Sequence, residues 1–216
     1  MSEQILRLGH QELTLLPQRA VWWPSQQTLI LADLHFGKTA ILRHAGIPVP
    51  EGPDALTLQR LDHLIEMFNP KRLLLLGDVI HGSLRRHAGL IEWLTAWRQT
   101  HAQLIIEAII GNHDRHRDLL GEVLDWRAPQ SEEAGLILCH DPPADALHAP
   151  WLGGHWHPMA RLRAAGDALR LPIYSREPTN GLVLPAFGEF TGGMDLTPTP
   201  GRQRFIVTDD RVISID

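Results

Sequence analysis

Five short segments of this chain combine imidazole, carboxylate and amide side chains at the spacing expected of metal ligands. They are Asp33-x-His35, Gly77-Asp78, Gly111-Asn112-His113-Asp114, the single His140, and Gly154-His155-x-His157. In an extended segment, side chains two residues apart point to the same side, so each spaced pair could hold one metal ion or reach two neighbouring ones. Donors of this kind bind divalent cations, and histidine also carries protons near neutral pH. The pattern therefore predicts a metal centre with acid–base groups beside it.

The overall composition supports an enzyme of this kind without identifying its substrate. The chain has 216 residues, 44% of them hydrophobic and 21% charged, which excludes a disordered or fibrous protein and predicts one domain over residues 1–216. Histidine is abundant, with 13 copies, as expected for metal or acid–base chemistry. The formal charge of −5 gives no whole-surface reason to bind nucleic acid, so DNA binding would need a partner or a local basic patch.

Cysteine usage and hydropathy predict a soluble protein in the cytoplasm. The one cysteine, Cys139, cannot form an internal disulfide, which excludes a disulfide-stabilised secreted scaffold. The first residues lack the basic and then apolar pattern of a signal peptide. No apolar run approaches the ~18–20 residues that are needed to cross a bilayer, so we expect no membrane partner.

The segments that position the first three motifs follow a strand–helix–strand pattern. Apolar runs that predict buried strands end just before these motifs, at residues 28–32, 72–76 and 104–110. Apolar residues recur at helical spacing in three stretches between them, at 38–45, 54–68 and 87–100. Alternate prolines make residues 46–53 a loop. This order predicts an α/β sheet whose polar groups gather at the carboxyl ends of its strands.

The chain after about residue 130 is rich in predicted strands. Strand-like stretches at 135–140 and 150–155 lead into His140 and His155. Further short strands are predicted at 159–164, 168–174, 181–184, 204–208 and 211–215, and a hairpin is predicted near the start of the chain, over 5–16.

The five motifs, taken in order, resemble the calcineurin-like metallophosphoesterase family, whose motifs run D-x-H, G-D, G-N-H-D/E, H and G-H-x-H. The resemblance covers residues 28–158. It implies a four-layer α/β-β-α sandwich in which two mixed sheets pack face to face with flanking helices. It also implies a site for two divalent metal ions. Mn²⁺ is the first expectation, with Fe²⁺ or another first-row cation as the alternative, because imidazole-rich donor sets suit these ions better than Mg²⁺.

The resemblance assigns each ligand to a metal. It implies that Asp33, His35 and His157 hold the first ion, that Asn112, His140 and His155 hold the second, and that Asp78 bridges both. It further implies in-line attack on phosphorus by a hydroxide that bridges the ions. His113 would act as the catalytic residue, which stabilises the transition state or protonates the leaving alkoxide.

Two positions depart from the family pattern. Many relatives carry an aspartate three residues after the bridging one, where it orients the catalytic histidine, but this chain has His81 there. The orientation of His113 is therefore open, with Asp114 as one candidate partner. Cys139 stands where a glycine usually precedes the fourth-motif histidine, and we interpret it as a packing substitution.

Four further residues could contact a substrate phosphate: His81, Lys38, Arg85 and Arg115. For the three cations, a solvated surface charge is an equally good interpretation. The remaining histidines are expected on surfaces or helix faces; they are His10, His44, His63, His87, His101, His116 and His148.

Two longer segments extend the resemblance to nearly the whole chain. Residues 46–52 read GIPVPEG and residues 184–193 read LPAFGEFTGG, and both resemble the bacterial DNA ligase-associated branch of the family. The later segment by itself predicts only a strand and a glycine-permitted turn that could border the site. The resemblance implies a Mn²⁺-dependent phosphodiesterase or nuclease that acts in DNA repair, with an ATP-dependent DNA ligase and a helicase as functional partners.

Two other functions stay open at this point. One is a small-molecule phosphodiesterase or nucleotide pyrophosphatase with the same fold, since the motifs define the chemistry but not the substrate. The other is a non-catalytic scaffold, which is disfavoured because every ligand position and His113 are present.

Overall fold

The computed structural model describes residues 3–82, 88–164 and 167–216, which form two mixed β-sheets packed face to face, with α-helices against the first sheet. The predicted α/β class and the pair of mixed sheets are confirmed. No helix in these ranges is long and apolar enough to span a bilayer.

The first sheet has seven strands in sequence order. They are β1 (Gln4–Leu8), β2 (Gln11–Leu15), β3 (Val21–Trp23), β4 (Thr28–Leu31), β5 (Arg72–Leu76), β6 (Ile105–Ile109) and β7 (Asp125–Arg127). Strands β1 to β4 are antiparallel and strands β4 to β7 are parallel. The early hairpin and the three buried strands lie where the sequence predicts them. Strands β3 and β7, each three residues long, are too short to give a periodic signal.

The helices α1 (Lys38–His44), α2 (Pro53–Phe68) and α3 (Ala88–Thr100) follow strands β4 and β5. Proline is favourable at the first position of α2, because its missing N–H has no helical partner there. The apolar face of α2 packs on the sheet through Leu58, Leu61 and Leu64. Short 3₁₀ helices lie at Pro24–Gln26 and Arg117–Leu120.

The second sheet contains the remaining strands of the described chain. They are β8 (Gln130–Glu133), β9 (Leu136–Cys139), β10 (Trp151–Gly153), β11 (Pro158–Ala164), β12 (Asp167–Glu177), β13 (Gly181–Val183), β14 (Met194–Asp195), β15 (Gln203–Val207) and β16 (Val212–Ser214). Their order is β14-β11-β12-β13-β10-β9-β8, with β15 on β12 and β16 on β15.

Strand alternation places the apolar side chains of the first sheet on its two faces. Ile30, Leu74 and Ile109 of the first sheet meet Leu152 and Tyr174 of the second in the core between the sheets. The alternate residues of β4 and β5 face the helices instead.

The outer face of the second sheet is covered differently from the outer face of the first. Leu147 and Ala149 pack there on Ile137, Trp151 and Val183, and the described residues place no helix on this face. The segment concerned, residues 142–149, is proline-rich at its start, which disfavours a helix. The fourth layer in these ranges is therefore a loop.

Candidate metal centre

The five motifs meet at one edge of the sandwich, where strands from both sheets end. The turns after β4 and β5 remain bonded to each other, since the Asp33 N–H donates to Gly77 O at 3.2 Å and the His35 N–H donates to Asp78 O at 2.9 Å. On the second sheet, the Gly154 N–H donates to His140 O at 3.0 Å. These backbone bonds hold the motifs together within each sheet, and the backbone N–H of His155 donates to Asp33 Oδ2 at 2.9 Å between the sheets.

The ligand residues have left-handed backbone conformations, so strand alternation does not orient their side chains. Of ten non-glycine residues with positive φ in the described chain, five are predicted ligands: Asp33 (56°), His35 (51°), Asp78 (50°), His155 (67°) and His157 (45°). The explanation by extended geometry is therefore wrong for Asp33-x-His35 and His155-x-His157. Left-handed residues that carry a side chain are strained and persist where surrounding contacts hold them.

Two glycines of the motifs, Gly77 and Gly111, stand where there is no room for a side chain. Gly77 has φ of 79°, and a Cβ at this position would lie 2.5 Å from His140 Nδ1. A Cβ at Gly111 would overlap the backbone nitrogen and the carboxylate of Asp78. The glycines of these motifs therefore let one ligand-bearing loop approach the next.

The first ligand cluster consists of Asp33, His35 and His157. His35 Nε2 lies 3.1 Å from His157 Nε2, which in turn lies 3.3 Å from Asp33 Oδ1. Asp33 and His35 are buried. Three donor atoms thus converge on one small volume in the protein interior.

The second ligand cluster consists of Asp78, His140 and His155, with Asn112 beside them. His140 Nε2 lies 3.0 Å from Asn112 Oδ1, 3.1 Å from His155 Nδ1 and 3.4 Å from Asp78 Oδ1. The other Asp78 oxygen, Oδ2, lies 3.7 Å from His35 Nε2 in the first cluster. Asp78 therefore directs one oxygen to each cluster, as a bridging ligand would.

The outward nitrogen of each clustered histidine has an acceptor or ring partner of its own. The partners are Leu76 O for His140 Nδ1 (2.8 Å), Gly192 O for His157 Nδ1 (3.1 Å), His81 Nδ1 for His35 Nδ1 (3.2 Å) and Asp141 Oδ1 for His155 Nε2 (3.4 Å). A carbonyl can only accept, so Nδ1 of His140 and of His157 carries the hydrogen, and Nε2 is the nitrogen that a cation would bind. Outer contacts of this kind fix the tautomer of metal-bound histidines.

A buried oxygen of Asp33 gives independent evidence that the site fits a cation. Asp33 Oδ2 accepts the His155 N–H at 2.9 Å, whereas Oδ1 accepts no hydrogen bond within the described chain. An unsatisfied buried carboxylate oxygen is rare and calls for an explanation. A bound cation supplies one.

The charges of the metal-free site differ between the clusters. Burial lowers the pKa of His35 to about 2, and the charge of His157 adds to this effect. Burial also lowers the pKa of His140, but the hydrogen bond to Asp78 and the charge of Asp33 outweigh it and raise that pKa to about 9. Burial raises the pKa of Asp78, but its bond to His140 prevails and lowers the pKa to about 2. Asp78 and His140 thus form an ion pair.

His113 lies at the open side of the site and is stacked on His81. Its side chain is 39% exposed, and its ring Nε2 lies 4.0 Å from Asp78 Oδ2. Its backbone N–H donates to Asp78 Oδ1 at 2.8 Å. The rings of His81 and His113 lie 4.3 Å apart at 24°. Burial, together with the charge of His113, lowers the pKa of His81 to about 4. A neutral His81 can therefore accept a hydrogen bond from Nδ1 of His35 while it stacks on His113.

Asp114 supports the loop backbone rather than His113. Its buried carboxylate accepts the N–H groups of Asp78 at 2.9 Å, Gly111 at 2.8 Å and Ile80 at 3.2 Å. Burial raises its pKa to about 6, and the charge of Asp78 adds to this effect. The candidate role of Asp114 as the partner of the His113 ring is therefore wrong; the neighbour of that ring is His81.

The late glycine-rich segment, residues 184–193, supports both ends of the first cluster. The N–H groups of Phe187 and Gly188 donate to Ala32 O and Asp33 O, and Gly192 O holds His157. Glu189 pairs with Arg60 of α2, whose guanidinium lies 4.3 Å above the Phe187 ring. No spacing rule connects Arg60 with Glu189, so the sequence does not predict this pair, although Glu189 lies in the late glycine-rich segment.

The candidate substrate contacts are distributed unevenly. Lys38 is half-buried near the site; burial lowers its pKa, while the charges of Asp33 and Asp78 oppose that shift. Arg115 is exposed, and the contacts described do not bring its side chain to the ligands. Arg85 lies outside the described residues. Cys139 is buried, its thiol lies 3.4 Å from Leu152 O, and burial raises the pKa of that thiol to about 12.

Comparison with known proteins gives one full-length structural match among the most similar solved structures. The Pseudomonas putida nuclease MPE superposes with a TM-score of 0.85 and 30% sequence identity, over 99% of this chain and 100% of that one. A phosphoesterase from E. coli, Yfce, gives a TM-score of 0.44 and 16% identity over 87% and 97% of the two chains. A protein of unknown function from Aquifex aeolicus gives 0.42 and 18% over 64% and 81%. No family model and no curated protein matches the sequence.

Proposed function

Because the chain belongs to the calcineurin-like metallophosphoesterase family and is a metal-dependent phosphoesterase, we propose that it hydrolyses phosphodiester bonds in nucleic acid with two metal ions. The observation that carries the proposal is the position of Asp78, whose two oxygens face two separate ligand clusters. The match with a nuclease over the full length of both chains supports nucleic acid as the substrate class.

Each side chain of the site has a role in this proposal. Asp33, His35 and His157 hold one ion, Asn112, His140 and His155 hold the other, and Asp78 contacts both. Two bound cations would polarise the phosphoryl oxygens and lower the pKa of a water between them. We propose Mn²⁺ as the native metal, since four imidazoles beside two carboxylates and one amide suit it better than Mg²⁺.

His113 and Lys38 act on the substrate side of the site. The His113 ring is half-exposed beside Asp78, so it can donate a proton to the leaving oxygen as the phosphorus–oxygen bond breaks. His81 keeps that ring in position by stacking. Lys38, half-buried within the field of the two aspartates, is suited to neutralise a phosphate oxygen.

A small-molecule diester is the second candidate substrate, and one cavity favours it. A cleft of about 380 Å³ adjoins Asn112 and His140 and is also lined by Pro129, Gln130 and Asp141. This volume lies within the usual range for small-ligand sites. The cleft could hold one nucleoside of a dinucleotide or of a nucleotide pyrophosphate.

The cellular setting is a further part of the proposal. The resemblance of residues 46–52 and 184–193 to the ligase-associated branch supports DNA repair beside an ATP-dependent DNA ligase and a helicase, in the cytoplasm. The continuous core between the two sheets supports a single domain over residues 1–216.

The proposal is tested by metal loading and hydrolysis assays on the purified protein. With Mn²⁺ we expect hydrolysis of bis-p-nitrophenyl phosphate and of single-stranded or nicked DNA, and two bound ions per chain. Asp78→Asn should reduce the rate by about 10³-fold or more and remove at least one ion, because it touches both clusters. The control is Asp125→Asn, an exposed acid at the start of β7, at the opposite end of the parallel strands.

Three outcomes contradict parts of the proposal. An enzymatic function would be excluded if the protein hydrolyses no diester and Asp78→Asn leaves the metal content unchanged. Turnover of bis-p-nitrophenyl phosphate and nucleotide pyrophosphates without cleavage of any DNA would favour the small-molecule candidate. Equal losses in Asp78→Asn and Asp125→Asn would indicate a general effect of charge.

A further inference from the structure

The hairpin of strands β11 and β12 leaves the body of the sandwich directly beside the metal centre. Six residue pairs join the two strands, from Met159↔Pro172 to Ala164↔Asp167. Strand β12 pairs with β15 and β13 only from Ile173 onward. We call residues 158–172, excluding the undescribed 165 and 166, the arm.

The register shows which way the arm projects. Strand β13 runs parallel to β10, which leads into the ligand histidines, and β12 runs antiparallel to β13. The early residues of β12 therefore extend past the edge at which the ligands lie. Strand β11 begins at Pro158, immediately after His157. The arm thus rises from the first ligand cluster itself.

One face of the arm carries three arginines. Arg161 pairs across the strands with Arg170, and Arg163 pairs with Ala168, so their side chains share a face. Asp195 binds Arg170 at 2.5 Å and Arg161 at 3.1 Å. Arg163 is exposed and has no ion-pair partner among the described residues. Three guanidinium groups therefore face one carboxylate, which leaves a positive surface.

This arginine face continues the inner face of the second sheet. Tyr174 of β12 points into the core between the sheets, and Arg170 lies four residues earlier, on the same side of the strand. Leu171 and Ile173 pack on the opposite side. Asp167 also belongs to that opposite side, so it does not neutralise the arginines.

We propose that the arginine face of the arm binds the backbone of a single nucleic-acid strand as it leaves the metal centre. The inference rests on the proposed nuclease function and names the surface that it needs. A chain of net charge −5 requires a local positive surface to hold a polyanion, and guanidinium groups match phosphate oxygens in geometry and charge. Arg161 and Arg163 are spaced by about 6.8 Å along the strand, roughly twice the 3.4 Å axial repeat of stacked nucleotides.

The exposed Arg163 provides the cleanest test, because its substitution removes no described contact. We expect Arg163→Ala to weaken binding of a labelled single-stranded oligonucleotide about threefold, and Arg163→Glu about tenfold, at ~0.1 M salt. The plot of log affinity against log salt should become less steep by about 0.7 in Arg163→Ala, as expected for the loss of one phosphate contact. Hydrolysis of bis-p-nitrophenyl phosphate should not change in either variant.

The matched control is Arg7→Ala, which removes the same charge from an exposed strand position on β1, an edge strand of the other sheet. Unchanged oligonucleotide binding and salt dependence in both Arg163 variants would overturn the inference while leaving the nuclease function intact. Equal weakening in Arg7→Ala would also overturn it, since net charge would then be the cause. If the wild-type enzyme hydrolyses the small diester but neither binds nor cleaves oligonucleotides, the inference and the nuclease proposal fail together.

Discussion

The two ligand clusters contain similar side chains, but they differ in their access to solvent. In the first cluster, Asp33 and His35 are buried and the His157 side chain is only 14% exposed. In the second, the His155 side chain is 36% exposed and Asn112 is exposed. The second cluster, together with the adjoining cleft, is therefore the more open side of the site.

The clusters also differ in how well they are satisfied without a cation. The second contains its own ion pair between Asp78 and His140, so its buried charges compensate each other. The first holds a carboxylate oxygen of Asp33 that has no hydrogen-bond partner in the described chain. Burial of a carboxylate oxygen without a hydrogen-bond partner is unfavourable. The first cluster should therefore depend more strongly on its metal, and bind it more tightly, than the second.

The largest effect should follow from the loss of charge at Asp33. Asparagine keeps the acceptor for the His155 N–H but replaces the Oδ1 atom that has no hydrogen-bond partner in the described chain. We expect Asp33→Asn to lose the first ion and about 10³-fold or more of the hydrolysis rate, without recovery at millimolar Mn²⁺. Thermal unfolding of the metal-free variant should occur at the wild-type temperature or above it, because a buried carboxylate oxygen without a hydrogen-bond partner has been removed.

Asn112→Ala in the second cluster is the matched comparison for that variant. The Asn112 side chain is exposed, so the substitution should weaken binding of the second ion. Added Mn²⁺ should restore most of the hydrolysis rate. Metal content by mass spectrometry and rates over a Mn²⁺ titration measure both variants. Full rescue of Asp33→Asn by Mn²⁺, or a metal-free variant that unfolds well below the wild type, would contradict the difference between the clusters.

Much of the centre could be predicted from the sequence, because each motif stands where a buried strand ends. The apolar runs before Asp33, Asp78 and Asn112 predict parallel strands, and such strands end at one edge. The chain order of the motifs then indicates the family. The two clusters bring together side chains that the resemblance groups around each ion, and their role as metal ligands stays a prediction.

The conformations and supporting contacts could not be predicted in the same way. The left-handed φ angles of the ligands depend on backbone bonds between loops that are distant in sequence. Arg60 and Glu189 are 129 residues apart, and only Glu189 belongs to a segment on which the resemblance rests. The proline-rich segment 142–149 lies on the outer face of the second sheet because of tertiary packing, which local pattern does not encode.

An intermediate effect is expected at His81, which connects the first cluster with His113. The ring lies 3.2 Å from Nδ1 of His35 through its own Nδ1 and stacks on His113, so two substitutions separate these roles. His81→Phe keeps an aromatic ring but loses the nitrogen. We expect it to lower the Mn²⁺ affinity of the first cluster by about 10- to 100-fold. His81→Asn restores a polar partner but loses the ring, and it should lower kcat more than metal affinity.

Calorimetric titration with Mn²⁺ and rates at saturating Mn²⁺ distinguish these outcomes. Identical profiles for His81→Phe and His81→Asn would mean that stacking and hydrogen bonding are not separate functions. Wild-type values in both variants would remove His81 from the mechanism.

The smallest effect, but the one that separates the clusters most directly, is the pH dependence of metal binding. The pKa of His140 is about 9 in the metal-free protein, so this ring is protonated at neutral pH. A metal on Nε2 must displace that proton, and its affinity for the second cluster should rise up to tenfold per pH unit until about pH 9. The pKa of His35 is about 2, so binding at the first cluster displaces no proton from that ring near neutral pH.

Calorimetric titrations at pH 6.5, 7.5 and 8.5, in buffers of different ionisation enthalpy, count the protons released at each step. The stability of the protein should show the same linkage with the opposite sign. Because the folded pKa of His140 lies above its value of 6.5 in the unfolded chain, its stabilising contribution is complete below pH 6.5 and is lost as pH rises towards 9. The increase in unfolding temperature on adding Mn²⁺ should therefore grow over that interval. Equal proton release at both steps would mean that the ion pair of Asp78 and His140 does not distinguish the clusters.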